Sequence, residues 1–120
     1  MKKYYLIVIL ITLFITGFTN TALAASLELT VVNASEADIY DLSIRPANDN
    51  NSTRGPNVLK GQSLLSGQSV QVIFPNYDSS IDQWDLLGFD CCYEKHSWRQ
   101  LRLSSVHTII LREGGNSELH

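Results

Sequence analysis

The chain has 120 residues, 12 acidic against 9 basic side chains, and only two cysteines. No basic stripe follows Lys2 and Lys3, which argues against nucleic acid as a partner. The length allows one domain, near the lower end of what builds a good core unaided.

The opening "MKKYYLIVILITLFITGFTNTALAAS" has three parts in order. Lys2 and Lys3 are positive, Leu6 to Phe18 is apolar apart from Thr12, Thr16 and Gly17, and Ala22 to Ala24 supplies small residues. This pattern predicts a cleavable secretory signal peptide over 1–24. The apolar run is shorter than the roughly 20 residues of a membrane span, so no membrane association is expected after cleavage. Loss of two lysines takes the basic count from 9 to 7 against 12 acidic residues, a net charge of −5. The expected address is periplasmic or secreted.

Beyond the leader the periodicity changes to two. In "SLELTVVN", Leu27, Leu29 and Val31 alternate with Glu28 and Thr30, the pattern of a half-buried strand. "IYDLSIR" repeats it, with Tyr40, Leu42 and Ile44 expected inward and Pro46 ending the run. Residues 47–57 are rich in Asn, Asp and Gly and form a surface loop. Residues 58–69 are expected to tuck Val58, Leu59, Leu64 and Leu65 under the core edge. "SVQVIFP" is a third strand. "QWDLLGFD" is a fourth, apolar on both faces and so central. "HSWRQLRL" and "VHTIIL" complete a set of about six. The domain is expected over 25–113, with 114–120 a flexible tail. Short strands with frequent turn signals predict an all-β fold, a small antiparallel β-sandwich.

"LELTVVNASEADIYDLSIRP", "RGPNVLKGQSLLSGQSVQVIF", "QWDLLGFD" and "LRLSSVHTIIL" together resemble a widespread group of small exported bacterial proteins. Members read V-V-N, I-x-x-L-x-I-S-P, W-G-x-N-L-L-G, Y-D-I-R and D-L-x-x-x-x-T-I-T-L in this order. Some pass under the name argininosuccinate lyase, a role out of scale with an exported domain of about 100 residues. The resemblance spans nearly the whole chain after the leader, and its motifs are turns and core positions, with no catalytic residue to carry over. Here Arg54–Gly55 replaces W-G, and Trp84–Asp85–Leu86–Leu87 replaces Y-D-I-R. Asp82 and Ser104 stand where many members have cysteines. The group's Asp-x-Asp-Gly turn falls on Asp90–Cys91–Cys92–Tyr93, which implies a hairpin tip there.

The cysteines therefore carry most of the chemical interest. A structural zinc site needs four ligands, commonly as two spaced pairs, and the spacing of Cys91, Cys92, His96 and His107 fits no familiar finger. Adjacent cysteines point to opposite sides of a strand and chelate badly unless the backbone turns. A Cys92–His96 nucleophile pair lacks an electropositive setting, with Asp90 and Glu94 against Lys95. With no third cysteine, a Cys91–Cys92 vicinal disulfide, an intermolecular bond or reduced thiols remain open.

Other motifs are weaker. "NDNNS" lacks the glycine and glutamate of a calcium loop, no G-x-S-x-G elbow is present, and the N-x-S/T triplets matter only in a eukaryotic secretory route. Asp85 is expected to bond structurally or to pair with an arginine on a neighbouring strand. A hairpin symmetric about Cys91 would set Trp84 opposite Trp98.

No catalytic residue, metal or cofactor is expected. The reading is a non-enzymatic binding or interaction module, a monomer or a disulfide-linked dimer, with a protein or glycan partner. Its candidate surface is Asp90, Tyr93, Glu94, Lys95, Asn50, Asn51 and Arg54. One alternative is an inhibitor or immunity-type protein capping an extracytoplasmic enzyme. A second is a small hydrolase or thiol-redox protein using Cys91 and Cys92.

Overall fold

A computed structural model describes residues 26–47 and 53–120. The leader reading over 1–24, and Asn50 and Asn51 of the candidate surface, lie outside the described residues.

Among the described residues, seven strands form two sheets. They are β1 (Leu27–Asn33), β2 (Asp41–Pro46), β3 (Ser69–Phe74), β4 (Trp84–Phe89), β5 (Lys95–Leu101), β6 (Thr108–Leu111) and β7 (Ser117–Leu119). One sheet runs β3-β1-β6-β7 and the other β2-β4-β5. The protein is a small β-sandwich, as the period-two patterning predicts. Leu29 and Val31 of β1, Val72 and Phe74 of β3, Ile109 and Leu111 of β6 share one core with Leu42, Ile44, Trp84, Leu86 and Trp98 of the other sheet. β4 is the centre of its sheet and is buried on both faces from Trp84 to Gly88.

Four details depart from the sequence reading. The first is the pairing of β1 with β6, which is parallel, so the larger sheet is mixed. The second is the C-terminal segment, which is not a tail. Gly114 and Gly115, both left-handed at φ 70° and 80°, reverse the chain, and β7 then pairs antiparallel with β6. His120 closes the ladder, its backbone bonding to His107 and Thr108. Backbone pairing at a sheet edge needs no apolar alternation, so "NSELH" gave no strand signal. Leu119 packs against the core as well.

The third departure is on β2. Tyr40 is 43% exposed, while Ser43, expected outward, is fully buried. The 54–58 segment runs along this strand: Gly55 N–H donates to Ile44 O, Val58 N–H to Leu42 O, and Asn57 Oδ1 accepts from Leu42 N–H. Arg54 lies over Ser43. The strand's free edge is thereby covered, a common protection of exposed ladders. Val58, Leu59 and Leu64 are buried in the core as expected, and Leu65 is half-buried.

The fourth departure is the tryptophan register. Trp84 faces Leu101 and Leu86 faces Trp98, with a bulge between. The two indoles are not cross-strand partners. Trp84 packs on Tyr77 with ring centroids 5.4 Å apart, and Trp98 donates Nε1–H to Arg112 O at 3.0 Å.

Candidate functional site

The β4–β5 hairpin reverses over Asp90–Tyr93. Tyr93 N–H donates to Asp90 O, and Asp90 N–H to Glu94 O. Tyr93 takes φ 60° and is 88% exposed. This is a tight turn followed by a left-handed residue, the position at which hairpins of this kind ordinarily carry glycine. A tyrosine held left-handed costs about 1 kcal/mol or more, with no packing to offset it. Tyr93→Gly is therefore expected to stabilise the domain by roughly 0.5–1 kcal/mol, whereas Tyr93→Ala keeps the strain and leaves stability nearly unchanged. Equal midpoints for the glycine and alanine variants in urea unfolding would show that the backbone is not strained.

Asp90 organises the turn. Its Oδ1 accepts from Cys92 N–H at 2.9 Å and Glu94 N–H at 3.1 Å. Its Oδ2 lies 3.1 Å from His96 Nε2. The hydrogen bond from His96, then that from Cys92 N–H, holds the Asp90 carboxyl below its usual range. His96 is half-buried in this pairing.

Cys91 and Cys92 occupy the two central positions of the turn as exposed free thiols. Their sulfurs converge to 2.8 Å. The Cys92 thiol beside it, reinforced by burial and by Asp90, pushes the Cys91 thiol above its ordinary pKa. That is the reverse of what an activated nucleophile requires.

Beneath the tip is a cleft of about 310 Å³ lined by Tyr40, Asp41, Arg54, Phe89, Asp90 and Tyr93. Arg54 bonds Asp41 at 2.9 Å and lies 4.9 Å over the Phe89 ring. Both contacts hold its guanidinium at the cleft wall. Of the surface residues nominated by sequence, Asp90, Tyr93 and Arg54 meet here. Glu94 is exposed at the tip. Lys95 turns to a different, more polar depression, shared with His96, Trp98, Arg112 and Glu113. Sequence reasoning did not nominate Tyr40, Asp41 or Phe89. Their signal was obscured because the β2 alternation was carried back through Tyr40, which in fact precedes the strand.

Asp85 is 3% exposed, accepts from Gln100 N–H at 2.9 Å and lies 3.8 Å from Arg99 Nε on the adjoining strand. This is the structural role expected of it. Among the described residues, no helix is long and apolar enough to cross a membrane.

Fold and tip define a class: a two-sheet β-sandwich whose β4–β5 hairpin carries vicinal cysteines above an aromatic cleft. No family model and no curated protein matches the sequence. Among solved structures the chain is similar to the "NMR structure of the protein from Eubacterium rectale", at 15% identity and a TM-score of 0.43, over 80% of this chain and 87% of that one.

Proposed function

We propose that this chain is an exported, non-enzymatic recognition module that binds a neutral, hydroxyl-rich ligand, a glycan, in the cleft under the β4–β5 tip. The observation that carries this reading is the convergence of Tyr40 and Tyr93 on one cleft. They are two of the three large hydrophobic side chains exposed among the described residues. Exposed aromatic faces offer apolar area at low entropic cost and carry a polar tip. Asp41 and Asp90 present acceptors for hydroxyl groups, and Arg54 a donor fork. Two carboxylates against one guanidinium leave the cleft negative, which disfavours an anionic ligand. The volume is at the small end of ligand sites and suits one or two sugar rings. The raised Cys91 pKa and the engagement of His96 by Asp90 support a non-catalytic role.

The test is titration with neutral oligosaccharides followed by amide chemical shifts. Shifts should centre on Tyr40, Asp41, Arg54 and Tyr93. Tyr93→Ala should weaken binding about tenfold, the scale of one aromatic contact. Saturable binding that is indifferent to Tyr40→Ala with Tyr93→Ala would place the site elsewhere. Tight binding of a protein enzyme with no sugar response would favour the inhibitor alternative.

A further inference from the structure

The hairpin tip brings together three donor atoms of metal-ligating type. The sulfurs of Cys91 and Cys92 and a carboxylate oxygen of Asp90 all lie within 4.8 Å of one another. Adjacent cysteines chelate badly in an extended strand, because successive side chains diverge. Here the chain reverses through both residues, and the sulfurs converge to 2.8 Å. The geometric objection to a shared ion is removed by the turn. A tetrahedral zinc with bonds of about 2.3 Å to sulfur needs the two sulfurs ~3.8 Å apart. Opening the pair by about 1 Å takes only small side-chain rotations at an exposed tip.

The third donor is already fixed in place. Asp90 Oδ1 is tied to Cys92 N–H and Glu94 N–H, and Oδ2 faces His96 Nε2. An imidazole bracing a ligating carboxylate is the kind of outer contact that orients metal ligands. Asp90 and Glu94 add negative charge beside the sulfurs, with Lys95 the one cation in the 90–95 segment. Two thiolates with a carboxylate suit a borderline-soft divalent ion.

We propose that the reduced hairpin tip binds a divalent cation of the zinc class through Cys91 Sγ, Cys92 Sγ and the Asp90 carboxylate, leaving a fourth position for water or for a donor from another molecule. Two thiol protons pass to solvent as two metal–sulfur bonds form, and no electron is transferred. Three protein ligands and an open fourth position mark an exchanging site rather than a closed structural one. A Cys91–Cys92 disulfide and the ion are mutually exclusive, so the redox state of the tip decides whether it binds.

The experiment takes the exported protein, reduces it with a phosphine, removes the reductant without air, and titrates Zn(II) against a chromophoric chelator. Co(II) substitution reports sulfur ligation through charge-transfer absorption. One ion per chain is expected, with sulfur-to-cobalt bands. Cys91→Ser with Cys92→Ser should weaken binding by at least ~100-fold, and Asp90→Asn or His96→Ala by about 10-fold. Asparagine at 90 keeps an oxygen for the turn amides, so its loss of affinity reports the charge and not the fold. Protein oxidised to a monomer two hydrogens lighter should not bind. The proposal is overturned by equal zinc affinity in the wild type and the double serine variant, by cobalt spectra without sulfur bands, or by one ion held between two chains by four sulfurs.

Discussion

Asn33→Ala is expected to destabilise the domain by about 3 kcal/mol, a large share of the 5–15 kcal/mol of a typical domain. Asn33 is fully buried at the end of β1. Its Nδ2 donates to Ala37 O at 2.8 Å and Leu64 O at 3.0 Å. Its Oδ1 accepts from Ser35 N–H at 3.0 Å and from Ser35 Oγ at 2.6 Å. One side chain thus closes the 34–37 turn and ties it to the segment entering β3. Alanine leaves Ser35 N–H without a partner and Leu64 O with Ile39 N–H alone, and it opens a void where a fully buried side chain stood. The orphaned amide alone costs roughly 1–3 kcal/mol, with some relief where the turn can reach solvent, and the void adds to it. Asn33→Asp should be no better. A carboxylate supplies no donor, and its second oxygen would face the carbonyls of Ala37 and Leu64. Thermal unfolding should drop by roughly 12–20 °C for a domain of this size. A loss under about 1 kcal/mol, or an aspartate variant as stable as wild type, would show that this network is not holding the turn.

The outcome at Asn33 bears on how much of the structure was legible beforehand. The strand "SLELTVVN" was legible because one face of it is buried, and period-two alternation is the direct imprint of that burial. Periodicity also placed β3 and put β4 at the centre of its sheet, whereas the tip at the cysteines was implied by the resemblance and by no alternation of its own. It failed where backbone bonding rather than side-chain burial defines the element. β7 is three residues of mixed polarity held by β6, and the Gly114–Gly115 turn before it read as a fray. It failed again where a distant segment changes what a face means. Ser43 became interior because Arg54 and the 55–58 strap cover β2, a consequence of contacts across at least 11 residues of sequence. The cleft is legible only in part for the same reason. Asp90 and Tyr93 drew attention because the cysteines between them depart from the resembled Asp-Gly turn, and Arg54 departs from the resembled W-G. Tyr40, Asp41 and Phe89 complete the cleft only because β2 and β4 pair in one register, Asp41 opposite Phe89. No local pattern encodes that juxtaposition.

The second large effect is expected at Asp85, where it separates the stability of the hairpin from the chemistry of its tip. Trp84 pairs with Leu101 but Leu86 with Trp98, so Arg99 and Gln100 together oppose Asp85 in a bulge. Gln100 is left-handed at φ 58°, and its amide, turned out of the ladder, is taken up by the buried Asp85 carboxylate at 2.9 Å. Bulges increase local twist and bend the strand that carries them. Asp85→Ala removes a charged acceptor from that amide and leaves space in the sheet, and should cost about 2–3 kcal/mol. Asp85→Asn keeps an oxygen for Gln100 N–H and forfeits only the attraction to Arg99, whose side chain is 66% exposed, so its cost should stay below ~1 kcal/mol. Hydrogen exchange should locate the damage. Protection in the alanine variant should fall at the Gln100–Leu101 end of β5, while the ladder at Phe89 and Lys95 survives in the folded fraction. Sugar and zinc titrations of that folded fraction should then match wild type, because the tip is closed by Asp90 and Tyr93 and not by the bulge. Equal destabilisation by asparagine and alanine would assign the role to the carboxylate charge. A matching loss of cleft or metal binding would mean that the bulge sets the geometry of the tip as well as the stability of the sheet.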